Sequence, residues 1–114
     1  MIKSKLKNIK THIDGIKFDS KKEGRRYCEL KLLLKTGEIT DLELQKPFVL
    51  IPSQKLLSGK TERPCKYIAD FVFKRDGEVV AEDVKGMKTG SAYALFVIKR
   101  KLMKLIHDIE VHET

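Results

Sequence analysis

The sequence contains no tryptophan, only two cysteines and three prolines, and no apolar run that approaches membrane-spanning length. Cys28 and Cys65 are too few and too isolated for a zinc cluster or a disulfide framework. They leave room for a single bridge, but we expect free thiols in a reducing cytoplasm. The lysine-rich start of the chain runs into no apolar signal-peptide segment, so we expect a protein that is neither secreted nor embedded in a membrane.

Several catalytic motifs are also missing. The sequence has no glycine-rich phosphate loop, no nucleophilic serine or cysteine constellation, no internal repeat and no low-complexity tract. The histidines His12, His107 and His112 have no metal-ligand spacing between them, and we interpret all of them as structural or surface residues.

Positive charge is what the sequence has in excess. Lysine and arginine number 24 against 16 aspartates and glutamates, which gives a net charge of +8 and an isoelectric point near 9.5. This balance favours an anionic polymer or a membrane surface as partner, and nucleic acid is the commoner case. A chain of 114 residues with 41% hydrophobic content supports one domain with a modest core. We expect a basic N-terminal arm or lead-in over residues 1–15 and a single domain over residues 16–114.

Local patterns predict an α/β order of elements. Ser20-Lys21-Lys22-Glu23 has the form of a capping box and predicts a helix that runs to about Lys35, where Thr36-Gly37 stops it. Hydrophobic periodicity predicts four further elements, which are strands at 38–44 and 48–51, the second of them central, a helix at about 91–107 and a last strand at 108–112.

A basic loop is predicted over residues 54–66, which contain Gly59 and Pro64 and have no hydrophobic periodicity. Lys55, Lys60 and Arg63 of this segment either contact a phosphate backbone or keep a solvated connector soluble.

The central prediction is a tight hairpin around Asp76-Gly77, a dipeptide that tolerates the positive φ angles of a two-residue type I′ turn. If the turn is symmetric, counting back along both strands places Asp70 directly opposite Asp83. Lys85 lies two residues beyond Asp83 and therefore emerges on the same face. A second pair, Asp14-Gly15, predicts a small hairpin or an extended lead-in before the first helix.

Two carboxylates and a lysine at one place predict a particular chemistry. Opposite residues of paired strands have Cβ atoms about 5 Å apart, where two like charges destabilise the pair unless a positive charge lies between them. Such carboxylates suit a hard divalent cation such as magnesium, and the natural substrate is a phosphodiester. A surface hairpin in which Lys85 merely screens two solvated aspartates explains the same residues without a metal.

Two further charged residues lie on apolar helix faces. Glu23 lies in the apolar stripe of the first helix and points inward, although a capping-box bond to the backbone of Ser20 also accounts for it. Lys99 lies in the apolar stripe of the second helix, where its amine either reaches an acid or phosphate or simply snorkels to water.

Four runs of the sequence resemble one nuclease superfamily. They are Phe18-Asp19-Ser20-Lys21-Lys22-Glu23, Leu44-Gln45-Lys46-Pro47-Phe48, Tyr67-Ile68-Ala69-Asp70-Phe71 and Glu82-Asp83-Val84-Lys85-Gly86. With the predicted order of elements, they resemble the PD-(D/E)XK nucleases, and most closely small phage-encoded members, a pattern that Holliday junction resolvases and transposon-end endonucleases share. The resemblance covers about residues 16 to 112 and departs at Ala69, where the superfamily has proline. It implies an α/β fold with a restriction-endonuclease-like αβββαβ core, in which helices flank a central mixed sheet.

The resemblance also implies a magnesium-dependent DNA endonuclease, with manganese as a substitute metal. Asp70 and Asp83 would bind the metal together with the backbone carbonyl of Val84. Glu23 would bind a second metal or a metal-associated water, and water would be the nucleophile.

Three other residues receive supporting roles from the resemblance and from their positions. Lys85 would orient the attacking water and stabilise charge on the phosphate, and Lys99 would hold a phosphate. Gln45 would support the site as an auxiliary residue, or serve only as a strand-end amide. The implied partner is DNA, in recombination or processing within the cytoplasm of a bacterial cell or a phage-infected host. The sequence leaves the oligomeric state open, although symmetric cutting of two strands usually calls for two active sites in a homodimer.

Two other classes of function explain part of the sequence. A catalytically idle nucleic-acid-binding module on the same fold would keep the basic residues without needing the acids. A purely structural or partner-binding α/β protein would leave the charge surplus and the opposed aspartates unexplained. The intact set of Glu23, Asp70, Asp83 and Lys85 favours the nuclease over both.

Overall fold

The computed structural model describes residues 10–86 and 88–114, so most of the predicted basic N-terminal arm lies outside the described residues. The elements are β1 Thr11–Ile13, β2 Ile16–Phe18, α1 Lys21–Thr36, β3 Thr40–Ile51, β4 Gln54–Lys55, β5 Thr61–Glu62, β6 Cys65–Arg75, β7 Glu78–Asp83, α2 Gly90–Leu102, a π-helical segment Met103–His107 and β8 Val111–Glu113. Within the described ranges, no helix is both long and apolar enough to cross a membrane.

A four-stranded sheet in the order β3-β6-β7-β8 forms the centre of the fold. Strands β3 and β7 both pair antiparallel with β6, whereas β8 pairs parallel with β7. A parallel pair needs a crossover connection, and α2 supplies it between β7 and β8. The predicted α/β class, with a central mixed sheet and two helices, is therefore confirmed.

The first helix begins and ends where the sequence predicts. The Ser20 hydroxyl accepts a hydrogen bond from the backbone N–H of Glu23 at 3.2 Å, as an N-cap residue does. Gly37 follows the last turn with a left-handed φ of 83°, and its N–H bonds carbonyls of that turn. Tyr27 and Leu30 are buried in a cluster that includes aromatic residues of β6, so the apolar stripe of α1 packs on the sheet.

Both predicted Asp-Gly turns are confirmed. Asp14 and Gly15 have φ angles of 54° and 76° between β1 and β2, and Asp76 and Gly77 have 52° and 79° between β6 and β7. Positive φ at both central residues is what a type I′ turn requires.

The register of the central hairpin also agrees with the prediction. Arg75 lies opposite Glu78, and regular pairing continues toward the other end of β7. Asp70 and Asp83 are the next residues after the last regular pair on their strands. The paired region therefore ends at the two aspartates.

Strands β3 and β6 form a long ribbon. One half of this ribbon packs on α1 and the other half packs on α2. Before Gln45, the even-numbered residues Leu42 and Leu44 of β3 pack in the cluster of α1. After Gln45, the even-numbered residues Phe48 and Leu50 pack in the cluster of α2. Gln45 itself has a φ of 50°, a left-handed conformation that is uncommon for residues other than glycine. The ribbon therefore turns over at Gln45.

Two predictions about this ribbon are wrong. The runs 38–44 and 48–51 belong to one strand, because pairing with β6 continues through the residues between them. The second run is not central, because β3 is an edge strand, and Val49 and Ile51 are 43% and 41% exposed. An apolar run normally indicates burial on both faces, but here only Phe48 and Leu50 pack in the cluster of α2, whereas Val49 and Ile51 lie on the other, exposed face.

The basic segment predicted as a loop contains a further hairpin. Gln54 pairs with Glu62 and Lys55 pairs with Thr61, so β4 and β5 form a small sheet of their own. Short strands of polar residues have no hydrophobic alternation, which is why the sequence predicts a loop there. Near the end of the chain, α2 passes into the π-helical segment, and the last strand begins at Val111 rather than at residue 108.

The glycine of the central turn is required for its backbone angle. A Cβ added at Gly77 or at Gly86 would meet nothing within 4 Å, but only Gly77 is left-handed, with φ of 79°. We expect Gly77→Ala to destabilise the protein by about 1 kcal/mol and to lower the melting temperature by about 5 °C. Gly86→Ala is the matched control and should change it by less than about 1 °C. Equal losses in circular-dichroism melts of the two variants would contradict this assignment.

Candidate active site

Four elements contribute the side chains of the candidate site. Glu23 lies in the first turn of α1, Gln45 on β3, Asp70 on β6 and Asp83 at the end of β7. Glu23 and Asp83 are buried, with 9% and 7% of their surface exposed, and Asp70 is half-buried. Carboxylates are almost never buried without a hydrogen-bond or ion-pair partner, so each of these acids is described below with the groups that contact it.

The Gln45 side chain bridges two of the acids. Its Nε2 donates to Glu23 Oε2 at 3.3 Å and to Asp70 Oδ1 at 3.1 Å. An amide nitrogen carries two hydrogens, so this one group satisfies both carboxylates. Among the described hydrogen bonds, the Glu23 carboxylate makes none back to the Ser20 backbone, so only one half of the predicted capping box forms.

Backbone groups after β7 hold the neighbouring strand and helix. The Val84 N–H donates to Asp70 Oδ2 at 2.8 Å. The Lys22 amine of α1 donates to the Lys85 carbonyl at 2.7 Å. Val84 thus reaches the site through its N–H, and the role of its carbonyl as a metal ligand stays a prediction.

Asp83 lies between a tyrosine hydroxyl and a lysine. The Tyr67 hydroxyl donates to Asp83 Oδ2 at 2.6 Å, and Lys85 Nζ lies 3.0 Å from Asp83 Oδ1. The same amine lies 3.8 Å from the centroid of the Phe96 ring, a cation–π contact. Lys85 therefore lies beside Asp83, where the strand spacing places it. Tyr67 was missing from the sequence prediction, and the signal for it is that a buried tyrosine hydroxyl needs a hydrogen-bond partner.

Burial and mutual repulsion raise the pKa values of the acids. The pKa of Glu23 rises from 4.5 to about 7, mainly because burial penalises the charged form. Three nearby carboxylates add to the rise, those of Asp70, Asp19 and Asp83. The pKa of Asp70 is also raised, mainly by burial and further by Asp83, although the Val84 N–H opposes the rise. The cluster therefore holds more negative charge than its surroundings neutralise.

Lys99 shares a cleft with Asp83 and Lys85. The cleft has a volume of about 290 Å³, and its walls also include Ile68 and Leu95. Lys99 is half-buried there, so the structure brings the lysine of the α2 stripe to the candidate site. A lysine-lined cleft beside carboxylates is able to bind a phosphate through its amines.

The other predicted basic residues lie elsewhere. Lys55, Lys60 and Arg63 are exposed on or beside the β4–β5 hairpin and do not line this cleft. A larger cavity of about 460 Å³ lies against β3 and β6, but its walls include none of the predicted site residues. We assign the site to the smaller cleft, because it holds the carboxylate and the lysines.

The acid that precedes Asp83 has a different environment. Glu82 accepts two hydrogen bonds from Arg26, at 2.8 Å from Nε and at 2.6 Å from a terminal nitrogen. This bidentate pair joins α1 to β7 and neutralises Glu82 within the protein. Successive side chains of a strand point to opposite faces of the sheet, so the structural acid Glu82 and the cleft acid Asp83 lie on different faces.

The carboxylates of the site have protein partners in this structure. Across residues 10–86 and 88–114, no group of three or more His, Cys, Asp or Glu side chains is arranged to hold a metal ion. Their oxygen donors are nevertheless of the type that hard divalent cations prefer.

Fold and site together define a small mixed α/β protein with an acidic cluster beside a lysine-lined cleft. The chain belongs to the family described as Protein of unknown function (DUF1064), whose model matches residues 3–112. No curated protein and no solved structure matches the sequence.

The raised pKa of Glu23 predicts that stability depends on pH. Between pH 4.5 and about 7 the folded protein keeps a proton that the unfolded chain has lost, so stability falls as the pH rises through this range. Glu23→Gln removes this loss. We expect the variant to melt about 5 °C above the parent near pH 8 and within about 1 °C of it near pH 4.5, measured by scanning fluorimetry in EDTA.

The exposed Glu62→Gln supplies the control for loss of a negative charge alone. A melting-temperature difference between Glu23→Gln and the parent that does not widen with pH would contradict the raised pKa.

Proposed function

We propose that the protein is a divalent-metal-dependent DNA endonuclease that hydrolyses phosphodiester bonds. The observation that carries the proposal is the convergence of Asp83, Lys85 and Lys99 on one cleft. The acids Glu23 and Asp70 lie within electrostatic reach of Asp83. The net charge of +8 supports an anionic polymer as the partner.

The order of the elements supports the likeness to PD-(D/E)XK nucleases. Helix α1, strands β3, β6 and β7, helix α2 and strand β8 follow the restriction-endonuclease-like αβββαβ order, with β4 and β5 as an insertion. The two aspartates lie where pairing of the β6–β7 hairpin ends, which is where the likeness requires them. This finer assignment of the fold is part of the proposal.

The donor set fits a hard divalent cation. Its acidic side chains offer only oxygens, and burial together with the neighbouring carboxylates raises the pKa of Glu23, which a bound cation would oppose. Asp70 and Asp83 would hold magnesium or manganese with the Val84 carbonyl, and Glu23 would hold a second metal or a water. When bound, the metal would neutralise negative charge on the phosphate.

The remaining residues would act on the phosphate or position the acids. Lys85, fixed between Asp83 and the Phe96 ring, would orient the attacking water and stabilise the negative charge that develops on phosphorus-bound oxygens. Lys99 would bind the scissile or a neighbouring phosphate from the α2 side of the cleft. Gln45 would hold in place the two acids that it bridges.

The biological setting is part of the same proposal. The substrate would be DNA, cut in a structure-selective way during phage or bacterial recombination or processing. A homodimer would supply two sites for symmetric cutting of two strands. The location would be the cytoplasm of a bacterial cell or a phage-infected host.

A catalytically idle nucleic-acid-binding module is the second candidate, and one observation favours it. The carboxylates of Glu23, Asp70 and Asp83 all accept hydrogen bonds from protein donors, as in a structural polar network. Such a network needs no metal, and the basic surface would still bind phosphates.

Metal-dependent stability separates the two candidates. A ligand of the folded state at about 100 times its dissociation constant stabilises a protein by about 2.7 kcal/mol. Millimolar magnesium should therefore raise the melting temperature of the parent by several degrees but leave that of Asp83→Asn unchanged. The substituted amide would keep an oxygen that accepts the Tyr67 hydroxyl, so the variant should fold.

Cleavage is tested with the same two proteins on a labelled four-way junction and a matched linear duplex. The parent should cut DNA with magnesium, and Asp83→Asn should be at least about 100-fold slower while its DNA affinity stays within about three-fold. A parent without magnesium-dependent stabilisation, together with a strongly destabilised Asp83→Asn, would identify a structural ion cluster and remove the nuclease proposal.

The two groups of basic residues should separate turnover from affinity. Lys99→Ala should lower turnover at least about ten-fold and change DNA affinity by less than about two-fold, because Lys99 lines the cleft and would contact one phosphate there. Changing Lys55, Lys60 and Arg63 together to glutamine should weaken binding and reduce the salt slope by about 3. Lys35→Gln, at an exposed position of α1, is the control for loss of charge alone. Equal effects of the first two changes on DNA affinity would contradict the assignment of Lys99 to turnover and of the other three residues to binding.

A further inference from the structure

Between β3 and β6 the chain forms a projecting arm, a name used here for residues 52–64, which include β4 and β5. Every residue from 51 to 64 is exposed. The arm therefore lies outside the packed body of the protein.

The tip of the arm is apolar. Leu57 is fully exposed, at 110% of its reference surface, and Leu56 is 42% exposed. The turn is nevertheless ordered, since the Leu56 N–H donates to the Lys60 carbonyl at 2.8 Å and the Gly59 N–H donates to the Leu56 carbonyl at 2.9 Å. Exposed turns favour glycine, asparagine, aspartate and serine, so two adjacent leucines at the tip of an ordered turn form an apolar contact surface that turn formation itself does not require.

Basic residues flank this apolar tip. Lys55 precedes the leucines and Lys60 follows them, with Arg63 further along, and Glu62 is the single acid of the arm. The ion pairs found in the described part of the chain include none of Lys55, Lys60 and Arg63. Nucleic acid offers a matching surface. Its phosphates would pair with the cations of the arm, and its stacked bases would accept the apolar tip.

We infer that the arm lies along DNA with Leu57 inserted as a wedge at a base step, so that the protein prefers DNA that is already unstacked or unpaired. The inference rests on the proposed DNA substrate and names its structural class. Leucine is among the side chains that minor-groove proteins insert between base steps, and β-ribbon proteins use their strands in the minor groove as well as in the major groove. Unstacking costs least at mismatches and other damaged or single-stranded positions, so a wedge selects them.

The ribbon fixes the distance between the wedge and the cleft. The arm continues the β3–β6 ribbon in which Gln45 and Asp70 lie. At about 3.3 Å per residue, the 13 residue steps from Leu57 to Asp70 span roughly 43 Å at most. One turn of DNA is about 34 Å, so the wedge and the cleft are able to contact one duplex about a helical turn apart.

A second copy of the chain fits the arm less well than DNA does. Two arms in contact would bring several unpaired cations of the same sign together, which opposes association. A polyanion meets the same cations with favourable electrostatics, and its bases accept the leucine.

The test measures binding by the whole chain in EDTA, so that cleavage plays no part. The probes are a fluorescein-labelled intact duplex and the same duplex with a central mismatch bubble. The parent should bind the bubble roughly ten-fold more tightly, and Leu57→Gln should bring the two affinities within about two-fold of each other. Leu57→Met should retain the preference. Leu32→Gln, at a leucine on α1 that is 65% exposed, is the matched control and should change neither affinity.

A second measurement follows the bases directly. A 2-aminopurine placed beside the bubble should brighten when the parent binds, because its fluorescence rises on unstacking, and should brighten far less with Leu57→Gln. An unchanged bubble preference in Leu57→Gln, or an equal loss on both duplexes, overturns the inference. So does a parent without bubble preference, a Leu57-dependent dimer in sedimentation, or Leu57-dependent binding to anionic lipid vesicles without binding to DNA.

Cleavage assays keep this inference separate from the proposed function. If DNA is cut with magnesium but no variant alters bubble preference, the wedge is wrong and the nuclease stands. If Leu57 controls bubble preference but no cutting occurs, the wedge stands and the nuclease proposal falls.

Discussion

Repulsion within the acidic cluster is the constraint on which the rest of the structure depends. Burial and neighbouring negative charge raise the pKa values of Glu23 and Asp70, so the folded chain must hold these two acids and their neighbour Asp83 with fixed donors. It supplies an amide on β3, a backbone N–H after β7, a hydroxyl on β6 and an ammonium beyond β7. Because these donors come from different elements, satisfying the acids also joins α1 to the three antiparallel strands of the sheet.

The donors converge because the β3–β6 ribbon turns over at Gln45. A left-handed residue other than glycine costs about 1 kcal/mol or more, and such strain persists only where the surroundings over-determine it. Here the two hydrophobic clusters do so, since Leu44 packs with α1 before the turn-over and Phe48 packs with α2 after it. Beyond Gln45 the ribbon packs on α2 through Phe48 and Leu50 and then continues into the exposed arm. The turn-over thus lets one strand contact both helices, with Gln45 at the acids of the candidate site.

The parts of the fold that could be predicted from the sequence are those that local chemistry determines. A capping serine sets the start of α1, the Asp76-Gly77 turn sets a register that ends at Asp70 and Asp83, and a spacing of two places Lys85 beside Asp83. The parts that could not be predicted depend on contacts between distant segments. The positive φ of Gln45 could not be predicted, because the residue is neither glycine nor asparagine. The hydrogen bond from Tyr67 to Asp83 depends on burial that only the assembled sheet creates. The β4–β5 hairpin has too few apolar residues in alternation to be distinguished from a loop.

The packing itself gives no reason for acids at this site. A buried ionic network can often be replaced by apolar residues of similar size with no loss of stability, and the β6 neighbours Ala69 and Phe71 are fully buried apolar residues. Glu82 gives the contrast, because its bidentate pair with Arg26 neutralises it and joins two elements. Among the described ion pairs, the acidic cluster has one cation, Lys85, for its three carboxylates. Sequences that otherwise agree with their fold break such rules at functional sites. A cation from outside the chain would neutralise the remaining negative charge, so this imbalance supports the proposed endonuclease over a purely structural cluster.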